Sequence, residues 1–168
     1  MVGMNRQFPL GKFQYQHQDL DLTPYVARLE TFPQRLAAAW DACPPELRDA
    51  PYREGGWTRR TVVHHVADSH LNMYVRIKLA LTEDEPTVKP YDENAWATLP
   101  DGPVELSLQL IAAVHGRAVP LLKTLSDGDW DRRYDHPELL RTVPIREVVQ
   151  MYAWHGDHHL AHIQLPSL

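Results

Sequence analysis

Apolar residues recur at helical spacing in four stretches of this chain, with Pro, Gly and Asp punctuating the gaps between them. The first stretch opens at "DLTPYVARLE", where Thr23 can cap and Pro24 suits the first turn. It runs to about Trp40, and a kink or short break is expected at Pro33. The second opens at Thr58, a fitting N-cap after Gly55-Gly56, and continues to about Leu81; Val62, Val66, Met73 and Ile77 form its apolar stripe. The third extends from near Pro103 to about Leu125, with Pro120 as a late distortion. The fourth begins at Pro144 and carries Ile145, Val148, Val149 and Tyr152 into the segment "AWHGDHHLAH".

The connectors predict little regular structure. "TEDEPTVKPYDENAWATLPDG" is interrupted by Pro86, Pro90 and Pro100, and "SDGDWDRRYDHPELLRT" is polar nearly throughout. No strand-period alternation is long enough to build a sheet, and no internal repeat is visible. The pattern predicts an all-α fold, a bundle of four principal helices. It predicts one domain over residues 1–168, with about twenty N-terminal residues as an extended lead-in.

Composition changes this picture mainly by exclusion. A chain of 168 residues that is 43% hydrophobic can bury a core without disulfides or a structural metal. The formal charge of −5 and the absence of a Lys/Arg patch longer than Arg59-Arg60 argue against nucleic-acid binding. No stretch approaches the roughly 18 apolar residues of a membrane span, and the N-terminus lacks the pattern of a signal peptide. A cytoplasmic location and no membrane partner are therefore expected. Cys43 is the lone cysteine, beside Pro44-Pro45, and reads as a small, partly buried residue rather than a nucleophile.

The candidate chemistry lies in the histidines. Four of them fall between His155 and His162. At roughly 100° per residue, positions i and i+4 lie about 40° apart, so His155 pairs with His159 and His158 with His162. Ile145, Val148, Val149, Tyr152 and Ile163 mark the core side of the fourth helix, and the first pair points inward with them. Two inward imidazoles one turn apart are hard to satisfy without a cation or several partners. His158 and His162 lie farther round and read as rim residues or as partners of ligands.

A tetrahedral site needs a third ligand and leaves one position for water. "TVVHHVADSH" on the second helix offers His64, His65 and His70. His64 points away from the apolar stripe, His65 lies on its flank and His70 nearer its centre, so periodicity alone favours His70. Asp68 and Asp157 read first as solvated residues, and second as acceptors of ring N–H groups from ligands. His17, His115 and His136 stand alone and read as structural or surface residues.

Three motifs then point beyond spacing. "GGWTRRTVVHHVADSH", "KLALTEDEPTVKPYDENAW" and "WHGDHHLAHI" together resemble the YfiT-like branch of the DinB-like superfamily, over nearly the whole chain. The resemblance implies a four-helix bundle with three histidine ligands to a divalent ion, and a metal-dependent hydrolase. Its first motif is a Trp-Ser/Thr helix start, apolar residues, and then a ligand histidine before a further apolar residue. Here that is Trp57, Thr58, Val62, Val63 and then His65 before Val66, so His65 is the implied ligand. Its C-terminal motif, a histidine, two residues and a histidine pair, implies His155 and His159. Wheel and resemblance agree on these two and part over His65 and His70. Many members of the wider superfamily carry glutamine where this chain has His162, which keeps His162 open as an extra or alternative ligand.

Three neutral imidazoles suit Zn²⁺, one per chain, although Ni²⁺, Cu and Fe accept the same donors. Zinc would lower the pKa of its water from about 15.7 to about 7, and that water, rather than any side chain, is the expected nucleophile. The same Lewis acid could hold a thiolate. Relatives in the superfamily use bacillithiol or mycothiol, so a thiol S-transferase acting on a small-molecule substrate is the alternative activity. A non-catalytic metal-binding stress protein is a second alternative, and a bundle whose histidines bind nothing is the third. The resemblance also implies a homodimer. Trp96, Tyr91 and Trp130, on the two long connectors, read equally as pocket walls and as packing aromatics.

Overall fold

The structure, a computed structural model, describes residues 5–17 and 21–168. Four long helices dominate it: α1 (Thr23–Ala42), α3 (Arg59–Thr82), α5 (Val104–Leu122) and α7 (Ile145–Gln164). Single turns, α2 (Pro45–Arg48), α4 (Glu93–Trp96) and α6 (Asp127–Trp130), punctuate the connectors. A hairpin of β1 (Arg133–His136) and β2 (Arg141–Pro144) leads directly into α7. The four principal helices fall where the apolar periodicity predicts them. No helix among the described residues is long and apolar enough to cross a membrane.

The helix ends follow from local chemistry. Thr58 caps α3, its hydroxyl accepting the Thr61 N–H, as expected. At α1 the expectation changes: Thr23 is the first helical residue, and its N–H is taken by the Asp21 carboxylate at 2.9 Å. Pro33 does not break α1, which runs on to Ala42. Its missing N–H leaves the Leu29 carbonyl, one turn earlier, without its helical donor. The Nδ1–H of His115 on α5 fills that gap at 2.7 Å.

The hairpin corrects the expectation of an irregular connector. Its antiparallel register pairs Tyr134 with Val143, the one buried side chain of each strand. Leu140 turns the chain with a positive φ of 52°. Val88 donates its N–H to the Asp135 carbonyl and so ties the earlier connector to the hairpin. With a single apolar residue per four-residue strand, no period-2 signal could accumulate.

Helix α1 packs against α5 and α7, and α3 packs against the same two, so α1 and α3 occupy one diagonal of the bundle. Two apolar clusters fill the interior. One, toward the hairpin, contains Leu29, Met73, Ile77, Leu122, Tyr134, Ile145 and Val149; the other contains Phe32, Leu36, Trp40, Val62, Val66, Ile111 and Ile163. Burying each such side chain contributes roughly 1.5–3 kcal/mol. Histidines lie between the clusters: His70 and His115 are buried, and Phe32 stacks on His70 and meets the His115 ring at a tilt.

The far end is fastened by Arg59. Its guanidinium is fully buried and donates to the carbonyls of Leu47, Ala50, Ile163, Leu165 and Pro166. It thereby gathers the end of α7 and the α2 connector around the start of α3. Residues 5–17 carry no helix or strand. Arg6 in this segment donates to the carbonyls of Tyr52 and Pro166, and the Gln16 backbone exchanges hydrogen bonds with the Gln150 amide.

Candidate metal centre

The centre forms where α3 faces α7. His65, His155 and His159 each offer one ring nitrogen, and these three atoms lie within 4.8 Å of one another. Nε2 of His65 is 3.3 Å from Nε2 of His155. His65 and His159 are buried and His155 partly so. The spacing of four on α7 stacks two of the rings on one face, with centroids 4.5 Å apart, as the helix wheel requires.

Electrostatics keeps the donors neutral. Burial holds His65 down to about 4. His155 and His159 are pushed well below the ordinary histidine range, first by burial and then by neighbouring imidazoles. At neutral pH all three present uncharged rings, the form in which imidazole is a ligand.

The second-helix histidines sort by the neighbour they face. The flank position of His65 meets α7. His64, opposite the stripe, is buried against α5, with Nδ1 2.8 Å from the Ser107 hydroxyl. His70, which periodicity favoured, points into the core, away from the converging nitrogens. Its Nδ1 is 2.8 Å from Nε2 of His115, and its Nε2 is 3.2 Å from Nδ1 of His155. His162 likewise has both nitrogens engaged: Nδ1 lies 3.2 Å from Nδ1 of His159, and Nε2 lies 3.3 Å from the Gln7 carbonyl.

The remaining acidic and histidine candidates lie outside the three-ring cluster. Asp157 accepts no ring N–H; it is paired with Arg28 and Arg35 of α1, the latter at 2.7 Å. Asp68 makes no hydrogen bond to a histidine among the described residues. His17 is exposed. His115 is a buried bonding partner rather than an isolated residue, and its place was readable, since Ile111 and Val119 one turn either side fix its face as apolar.

A cavity of about 410 Å³ opens onto the three rings. Its walls include Phe8, Tyr52, Trp57 and Trp154, with Arg53 and Asn94 at more polar positions. Of the two readings of the connector aromatics, packing holds for Tyr91 and Trp96, whose ring centroids are 4.4 Å apart, while Trp130 lines a separate groove beside Val26 and Leu122. Trp57 could have been foreseen, because the residue before a cap is carried beside the first turns of its helix. Its ring lies 4.7 Å from that of His65.

The model of the DinB superfamily matches residues 28–163, which include all four long helices except their outermost residues. The chain belongs to the DinB superfamily. Within it, an Oceanobacillus iheyensis protein named "putative metal-dependent hydrolase" is 44% identical over 164 residues, covering 95% of each chain. Among solved structures, YfiT from Bacillus subtilis, described as "a probable metal-dependent hydrolase with an unusual four-helix bundle topology", matches with a TM-score of 0.91 at 38% identity. That match covers 95% of this chain and 94% of YfiT. A mycothiol-dependent maleylpyruvate isomerase shares the fold at a TM-score of 0.69 and 20% identity, over 92% of this chain and 65% of its own.

Proposed function

We propose that this DinB-superfamily protein is a metal-dependent hydrolase in which His65, His155 and His159 hold one divalent cation, zinc in the first instance. The observation that carries the reading is the convergence of three neutral ring nitrogens, from two helices, at the floor of an aromatic-walled cavity. The donor set fits such an ion. Three imidazoles and no fourth protein donor among the described residues match a site that keeps an open position, whereas a structural zinc site is closed by four. When bound, the cation supplies Lewis acidity, which activates water for attack on an ester- or amide-like carbon.

The remaining work falls to the chain itself. Phe8, Tyr52, Trp57 and Trp154 enclose substrate and reduce the water around the reacting group. Nδ1 of His158 and Nε1 of Trp154 are buried without a partner among the described residues, and both residues line the cavity. They are suited to bind and orient polar atoms of a substrate. Arg53 offers a positive charge for an anionic one.

Thiol S-transfer is the second reading. The fold shared with a mycothiol-dependent isomerase favours it, and the open position would serve a thiolate as well as water. One experiment separates the two. Zinc-loaded protein is assayed against ester, amide and thiol-acceptor panels, with and without bacillithiol or mycothiol. Turnover without added thiol that vanishes in His155→Ala supports hydrolysis. Turnover only with thiol overturns hydrolysis in favour of transfer, and activity unaffected by His155→Ala overturns both.

A further inference from the structure

The bonds behind the two α7 rings have a fixed direction. The Leu29 carbonyl can only accept, so Nδ1 of His115, 2.7 Å away, carries the proton. A neutral ring has one proton, which makes Nε2 of His115 an acceptor, and Nδ1 of His70 at 2.8 Å must donate to it. Nε2 of His70 is then an acceptor, and Nδ1 of His155 at 3.2 Å donates in turn. Every ring in the series is thus an Nδ1–H tautomer, and His155 is left with a lone pair on Nε2, the atom that faces His65.

The second ligand of α7 obeys the same logic from a different anchor. The Gln7 carbonyl, 3.3 Å from Nε2 of His162, requires a proton there. Nδ1 of His162 is then an acceptor and takes the Nδ1–H of His159 at 3.2 Å. Once more the lone pair is left on Nε2. Two independent carbonyls, one on α1 and one in the N-terminal segment, lead to the same tautomer on both residues.

We infer that His70, His115 and His162 are positioning residues, forming two imidazole relays that fix His155 and His159 as Nδ1–H tautomers with Nε2 free to bind the cation. The inference rests on the three-histidine site proposed above. Pro33 gives the longer relay its anchor, since its missing N–H leaves the Leu29 carbonyl available to His115 in the middle of a helix. Two further features hold the rings in register. Phe32 stacks on His70, and His70 and His115 are nearly parallel to each other, 22° apart. Ring N–H groups of metal-binding histidines ordinarily donate to a carboxylate, carbonyl or water. Here neutral imidazoles carry that function to remote carbonyls and add no negative charge to the site.

Long-range ¹H–¹⁵N correlation spectra of zinc-loaded protein read the tautomers directly. Nδ1–H is expected on His70, His115, His155 and His159, and Nε2–H on His162. Zinc affinity, measured by competition with a chromophoric chelator, is expected to fall about 10- to 100-fold in His115→Leu and His70→Leu. His115→Gln should restore most of it, because the amide can donate to Leu29 and accept from His70. An Nε2–H tautomer on His70 or His115 would overturn the inference, as would undiminished affinity in a folded His115→Leu protein. Should the leucine variants not fold, the spectra of the unaltered protein still decide. Failure of the unaltered protein to bind zinc would overturn the metal site and the relays together; zinc binding with the wrong tautomers would overturn the relays alone.

Discussion

Phe32 of α1 lies against the His70 ring of α3, with centroids 5.1 Å apart and planes 19° from parallel. This contact joins the apolar interior to the histidine layer, and Gly156 of α7 permits it. A Cβ at position 156 would stand 2.9 Å from the Phe32 ring. Gly156→Ala gains about 1 kcal/mol of helix propensity but displaces a buried, stacked ring. Overpacking at so close a contact costs about 2–3 kcal/mol, so a net loss of about 1–2 kcal/mol is expected on urea denaturation. Unchanged or increased stability would show that Phe32 can move freely, contrary to its packing.

Arg59 should be a point of fragility. Five backbone carbonyls accept from its buried guanidinium. Arg59→Leu fills the space but leaves buried acceptors unpaired, at a cost of about 3 kcal/mol or more. The check is thermal unfolding of both proteins with zinc content matched. Arg59→Lys should recover only part of the loss, since an ammonium cannot reach the same set of acceptors.

Stability of the metal-free protein should depend on pH through His115. Burial lowers this histidine from 6.5 to about 4 in the folded protein. As pH falls through 6.5 the unfolded chain takes up the proton first, so acid favours unfolding. The contribution is fully present above pH 6.5 and is lost progressively toward pH 4, by up to about 3 kcal/mol. Urea denaturation of chelator-treated protein across this range should show the slope, and His115→Gln should reduce it, the other buried histidines supplying the remainder. An equal slope in the variant would contradict the assignment.

The cavity wall should affect substrate binding separately from the metal. Trp154 lines the cavity, and its ring stacks on His158, not on any of the three proposed ligands. Trp154→Ala is expected to leave one zinc per chain and to raise KM on the order of tenfold with a smaller change in kcat. Loss of zinc in this variant would assign Trp154 to the support of the ligands instead.

The sequence exposes these features unevenly. Four helices and the inward direction of His155 and His159 follow from periodicity, because helical spacing fixes which side chains share a face. His65 does not follow from it. A helix in a bundle meets two neighbours, and a single apolar stripe cannot show that its flank faces α7 while its centre, with His70, faces the core. The motif resemblance selected His65 where the wheel could not. The hairpin was invisible because Tyr134 and Val143 are the only buried side chains of their strands. The relays depend on pairings between distant segments, Leu29 with His115 and Gln7 with His162, which no local pattern encodes.

The proposed function requires a cation shared by His65, His155 and His159, and a zinc titration tests it most directly. Protein purified without nickel resin and stripped with chelator is titrated with zinc alongside the His65→Ala, His155→Ala and His159→Ala variants. One zinc per chain is expected in the unaltered protein, with affinity lowered by orders of magnitude in each variant. Equal binding by all four proteins, or no binding by the unaltered one, would contradict it.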